Sequence, residues 1–186
     1  MDLTLHINQE EYDLITGCIN NERWAQKKMY EDNYPVMMAT AMRYAGNNED
    51  ALDILHESFI KIFKNIYKYQ TGTSVSAWIR KIVVNTAIDF YRRDMRRKSE
   101  ELDVASYVNT DIPDAVSNLS SEEILKALQR LPYSYRSVFN LYVIEGYSHR
   151  EISEMMNINE STCRSNLVKA RTKLRDILSA FDSDWR

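Results

Sequence analysis

Glycine and proline are scarce in this chain of 186 residues, which holds 4 of the first and 3 of the second. So few turn-formers exclude a sheet protein built on many tight hairpins and favour helices joined by short loops. Cysteine is scarcer, at 2 residues. Cys18 and Cys163 both fall at apolar-periodic positions, so they are expected as reduced core residues and not as a disulfide. With 3 histidines at scattered spacing they form no metal-ligand pattern. No apolar run approaches the roughly 20 residues of a membrane helix, and the opening MDLTLHINQEEYD lacks a basic-then-apolar signal. A cytoplasmic protein with no membrane insertion is expected. No Gly-rich phosphate loop and no nucleophile–base pair by spacing can be found, which argues against an enzyme and against a bound cofactor.

Excess positive charge is missing as well. A net charge of −3 excludes a uniformly basic nucleic-acid binder. The charges are nevertheless segregated. RRDMRRK at 92–98 and the stretch 164–175 are cationic, whereas Asp50, Asp53 and Glu57 and the segment after Lys98 are acidic. Segregation of this kind implies at least two different partners.

The apolar pattern is helical throughout, so the fold class expected is all-α. Residues 11–45 read as helical, with Leu14, Ile15, Cys18 and Ile19 opening an apolar face. Pro35 interrupts or starts a helix, and Val36, Met37, Ala41 and Tyr44 continue the face. Residues 51–68 place Leu52, Leu55, Phe59, Ile62, Phe63 and Ile66 on one side. A loop at 69–74 leads into a helix over 76–97, with Ile79, Ile82, Val83, Thr86, Ala87 and Phe90 inward. The first domain is thus 8–98. Residues 99–119 contain no Lys or Arg and read as a flexible acidic linker. A second domain, 120–179, holds helices over Ser121–Leu131 and Tyr135–Glu145, the latter ended by Gly146, and then a helix-turn-helix.

That last motif is written in local chemistry. Ser148 and Glu151 have capping-box spacing. Asn157 tolerates the left-handed conformation of a helix end, and Asn159 can cap the next helix. There Cys163, Leu167, Ala170, Leu174 and Ile177 form one buried stripe, while Ser161, Ser165, Val168, Lys169 and Thr172 point away and Arg164, Arg171 and Arg175 line one flank. Hydroxyls and amides near such a helix start reach base edges, and cations along it neutralise phosphates. A solvated helical hairpin would carry the same pattern.

Two further elements carry chemistry. Asp50, Asp53 and Glu57 share the polar side of their helix and suit docking to a basic protein surface; a solvated acidic face, relieved by Lys61 and Lys64, is the plain alternative. On the 76–97 helix, Lys81, Asn85, Asp89 and Arg92 make a polar stripe, with Trp78 just inside the helix and the Arg cluster at its end. Aromatics beside polar and basic groups suit single-stranded nucleic acid, although Trp78 could equally be core and the cations a dipole-favoured helix end.

In this order, DALDILHESFIKIFKN at 50–65, VSAWIRKIVVNTAIDFYRRDMRR at 75–97 and LQRLPYSYRSVFNLYVIEGYSHREISEMMNINESTCRSNLVKARTKL at 128–174 resemble the sigma-70 family of RNA polymerase sigma factors, in its extracytoplasmic-function (ECF) group. The resemblance runs from about residue 11 to 179. It implies a factor that brings core polymerase to promoters, starts DNA-templated transcription and helps melt the strands. Asp50, Asp53 and Glu57 would bind the clamp coiled coil of the β′ subunit, and the β flap would be a second polymerase contact. Trp78, Lys81, Asn85, Asp89, Arg92 and Arg93 would bind minus-10 DNA. Ser161, Thr162, Arg164, Ser165, Asn166, Lys169 and Arg171 would bind minus-35 DNA. Family members often carry a basic residue where Asn166 stands. The linker would thread toward the polymerase active-site channel, and an anti-sigma factor holds many members of the group inactive. The competing function is a stand-alone, dimeric helix-turn-helix regulator, in which the acidic face and the 76–97 stripe have no role.

Overall fold

The structure is a computed structural model that describes residues 9–100 and 121–183, the side chains of 94–100, 121 and 180–183 excepted. The linker expected over 99–119 lies outside the described residues, apart from the last two residues of a helix. Among the described residues every regular element is helical, in the order α1 (Gln9–Ile19), α2 (Arg23–Tyr44), α3 (Asn48–Asn65), α4 (Val75–Glu100), α5 (Ser121–Gln129), α6 (Tyr133–Phe139), α7 (His149–Met156) and α8 (Glu160–Ser183). The chain divides into two compact units between Ala87 and Ile88, inside α4.

In the first unit α2 packs against both α1 and α3. The single helical stretch expected over 11–45 is two helices. The break falls at Asn20–Glu22, where Asn21 takes φ 59, a left-handed conformation that Asn tolerates better than most residues. Gly17 lies against α2: a Cβ there would lie 2.7 Å from Ala25 Cβ. Pro35 neither starts nor ends α2 but lies within it. It is exposed, as is Glu31, whose carbonyl loses the helical partner, so water can serve that group. Met29, Met37, Ala41 and Tyr44 are fully buried, and Phe59 of α3 meets Tyr30 of α2 at 4.7 Å between ring centroids. Two expected core positions are exposed instead, Ile19 at 45% and Val36 at 53%. Both flank an apolar stripe whose centre alone is covered.

Asn47 caps α3 by accepting the Asp50 N–H at 2.8 Å. A single 3-10 turn, Ile66–Lys68, ends the run. In α4 the inward residues Ile79, Val83, Thr86 and Ala87 are buried as expected, with Val84 added and Ile82 and Phe90 half-buried.

In the second unit the apolar stripe of α8 closes over α5. Ala127, Leu128, Leu131, Ala170 and Leu174 form a buried cluster, with Tyr135, Phe139, Ile177 and Leu178 packed on it. The buried Arg136 donates from Nη1 to the Gln129 carbonyl at 3.1 Å, placing a cation at the C-terminus of α5 where the helix dipole favours it. The helix expected over Tyr135–Glu145 starts two residues earlier and changes pitch midway. Asn140–Ile144 is a π-helical turn in which the Glu145 N–H reaches the Asn140 carbonyl at 3.0 Å. Gly146, at φ 79, then reverses the chain.

Candidate protein and nucleic-acid interfaces

The acidic face of α3 is less isolated than its sequence implies. Asp53 is exposed and Asp50 half-buried, with Asn47 Nδ2 donating to Asp50 Oδ2 at 3.3 Å. Glu57 carries an intrachain cation: Lys61 Nζ lies 2.9 Å from its Oε1. The same ammonium donates to Thr86 Oγ1 of α4 at 3.3 Å. Ile60 (55% exposed) and Tyr67 (64%) add bare apolar surface beyond Asp53. The helical spacing accounts for Ile60: seven residues after Asp53, it is on the same side of the helix. The arrangement offers carboxylates beside exposed apolar side chains, a suitable complement to a basic helical partner.

The α4 stripe is held from its N-terminal end. Ser74 Oγ accepts the Ala77 N–H at 3.3 Å, and the Ser74 carbonyl accepts the Trp78 N–H at 3.0 Å. In the preceding loop Gly72 supplies φ 92, and Thr73 is pinned to the Gln70 carbonyl through its hydroxyl at 2.8 Å. Tyr69 lies buried beneath, its hydroxyl 2.9 Å from Glu11 Oε1 and against the Thr73 carbonyl. Burial raises the pKa of that phenol. Trp78 meets the Tyr69 ring edge-on at 5.8 Å and is half-buried, so it is both part of the packing and partly open. Lys81, Asn85 and Asp89 are exposed at one-turn intervals. Asp89 Oδ1 is 3.8 Å from Arg92 Nη1, and Arg93 is exposed.

The pair α7 and α8 is built as its sequence implies. Ser148 and Glu151 make a capping box, with the Ser148 N–H donating to Glu151 Oε2 at 2.8 Å. Asn157 takes φ 53 and ψ 50 and turns the chain, and α8 begins after Asn159. His149 Nδ1 lies 3.3 Å from the buried Cys163 Sγ, and the imidazole stacks on Tyr142 at 4.5 Å, which fastens the start of α7 to α8 and to the π turn. Ser161, Thr162, Arg164, Ser165, Lys169 and Arg171 are all exposed. Asn166 is not with them. At 9% exposure it lies on the inward side with Cys163, Leu167 and Ala170, because residues three before and four after it belong to the buried stripe. Arg164 Nη2 is ion-paired with Glu160 Oε1, and Lys169 Nζ stands 5.9 Å over the Tyr135 ring.

The model for Sigma-70 region 2 matches residues 29–97, which hold α3 and nearly all of α4. The model for Sigma-70 region 4 matches 121–174, which hold α5, α6, α7 and most of α8. The chain belongs to the sigma-70 family, in its ECF group. This sigma factor is 33% identical over 150 residues to the ECF RNA polymerase sigma factor SigE of Mycolicibacterium smegmatis, a match covering 77% of this chain and 58% of that protein. It is 28% identical over 169 residues to the RNA polymerase sigma factor SigV of Bacillus subtilis, covering 91% of this chain and 93% of that one. In fold it is similar to the sigma factor RpoE of Bartonella quintana, solved in complex with the anti-sigma factor NepR. That likeness has a TM-score of 0.53 at 21% identity and covers 82% of this chain and 96% of that chain. As a sigma factor the chain directs RNA polymerase to promoters and is not an enzyme. No helix among the described residues is long and apolar enough to cross a membrane.

Proposed function

We propose that the three surfaces act in sequence during promoter opening. The acidic face of α3, with Asp50, Asp53 and Glu57, docks on the clamp coiled coil of the β′ subunit. The α4 stripe, with Trp78, Lys81, Asn85, Asp89, Arg92 and Arg93, captures the displaced minus-10 strand. The pair α7 and α8 is a DNA-binding helix-turn-helix whose Ser161, Thr162, Arg164, Ser165, Lys169 and Arg171 bind minus-35 duplex, with Asn166 supporting that helix from within. The domains are 8–98 and 120–179, joined by the acidic linker, with the β flap as a second polymerase contact. The observation that carries this reading is that each polar set lies at least partly open to solvent, with Asp53, Lys81, Asn85, Asp89 and the α8 residues exposed, on a helix inside the matching sigma-70 segment.

The physics fits a factor that needs its polymerase. A net charge of −3 provides no general attraction to DNA. Two weak DNA contacts on separate domains act as one only when a third body fixes their spacing. Melting requires no ATP site: capturing an unstacked base on an aromatic contributes about 1–3 kcal/mol, and polymerase contacts supply the rest. Work in the cytoplasm and restraint by an anti-sigma factor, the partner of the Bartonella relative, complete the proposal.

The test is to purify the chain with core polymerase, sequence the 5′ ends of the RNA it makes, and footprint one such promoter with and without core. Protection that needs core, with unpaired thymines reactive near the start site, supports the proposal. Tight, symmetric binding without core would establish the dimeric regulator instead.

A further inference from the structure

The first residue of α8 is a carboxylate on the side assigned to DNA. Glu160 suits the helix dipole there, but an exposed anion facing duplex repels phosphates and costs affinity. Its side chain is 44% exposed and its Oε1 is ion-paired to Nη2 of Arg164, one turn on and 63% exposed. The exposed neighbours on this turn, Ser161, Thr162 and Ser165, are neutral. The two opposite charges therefore face each other at the start of α8, and the carboxylate is matched to one guanidinium in particular.

An arginine left to itself samples many rotamers, and ordering its side chain costs conformational entropy. A carboxylate four residues back, on the same helix, holds the guanidinium by one edge. The remaining N–H donors then form a fork of fixed direction. Of the base edges in the major groove, only guanine offers two acceptors, O6 and N7, at the spacing of such a fork. We propose that Glu160 is the positioning residue for Arg164, and that the pair reads one guanine in the minus-35 element as a single device. This rests on the reading of α8 as the promoter-binding helix. It assigns no base contact to Glu160 itself.

The experiment uses holoenzyme assembled from core and the full chain. Affinity is measured on a mapped promoter, on variants with each minus-35 base pair changed in turn, and on non-specific duplex. The proteins are wild type, Glu160→Ala, Arg164→Ala and the double variant. Wild type should discriminate at one guanine by roughly ten- to hundredfold. Arg164→Ala should lose that discrimination. Glu160→Ala should lose most of it at the same base pair, while binding non-specific duplex as well as wild type or better, because an anion has gone. The double variant should be no less selective than Arg164→Ala. A merely structural role would not confine the loss to one base pair. Full discrimination retained by Glu160→Ala overturns the proposal, and so does a loss at a different base pair from that of Arg164. If wild type itself shows no preference at any minus-35 position, the assignment of α8 fails and takes this inference with it.

Discussion

Lys61 of α3 and Thr86 of α4 are joined by a hydrogen bond of 3.3 Å, and the same ammonium lies 2.9 Å from Glu57 Oε1. One cation thus links the acidic face to the helix proposed to hold the opened strand. It also occupies a carboxylate proposed for the polymerase. Half-exposed pairs of this kind contribute about 0–1 kcal/mol to stability, so the bridge matters more for competition than for folding. Lys61→Met should tighten core binding by roughly two- to fivefold, since the acidic face loses a neighbouring cation, with little change in unfolding midpoint. A titration of labelled protein with core checks this. Weaker binding would show that Lys61 itself faces the partner.

Asp53 gives the cleanest test of the docking face, because it is exposed whereas Asp50 and Glu57 are half-buried. Asp53→Lys should weaken core binding by roughly tenfold or more, as rim charge reversals add repulsion to the lost attraction. Helical content by circular dichroism should stay unchanged. Unaltered affinity would remove Asp53 from the interface.

Asn85 separates DNA capture from folding better than Trp78, which also packs edge-on against Tyr69. Exposed on α4, Asn85→Ala should alter stability by less than about 0.5 kcal/mol. It should nonetheless reduce permanganate-reactive, opened promoter at saturating holoenzyme. Wild-type opening would take Asn85 out of the proposed strand contact.

Gly17→Ala should destabilise the first unit. Alanine favours a helix over glycine by up to about 1 kcal/mol. The added methyl would meet Ala25 Cβ at 2.7 Å and the Trp24 ring at 3.0 Å, however, and overpacking costs about 1–3 kcal/mol. Urea unfolding should show a lower midpoint. A rise would mean that α1 and α2 separate readily.

Burial pushes the Cys18 thiol up to about 11 from 9.0. The folded state therefore holds its proton more tightly than the unfolded one. The stability this represents is intact below pH 9 and declines as pH rises toward 11, by about 2–3 kcal/mol in all. Cys18→Ala should flatten that part of the stability–pH profile. In the native protein a thiol reagent should modify Cys18 only as fast as the first unit opens.

Local chemistry explains which features the sequence by itself determined. The capping box of Ser148 and Glu151, the left-handed turn at Asn157, the reversal at Gly146 and the buried stripe from Cys163 to Leu174 each depend on residues within about two helical turns, and each is where the spacing puts it. Helical periodicity also separated Lys81, Asn85 and Asp89 from the buried side of α4, and the order of motifs along the chain pointed to the sigma-70 family. Contacts between helices decided the rest. Pro35 looked like a boundary, yet α2 runs through it because its ring and the bereft carbonyl face solvent, while the actual break came at Asn21. Ile19 and Val36 are apolar but exposed, and Asn166 is polar but buried. Periodicity locates the middle of a stripe, whereas the width that is covered depends on where the neighbouring helix lies. Lys61 could be seen as relief for Glu57, but its bond to Thr86, 25 residues away in the chain, exists only because the fold brings these two residues together.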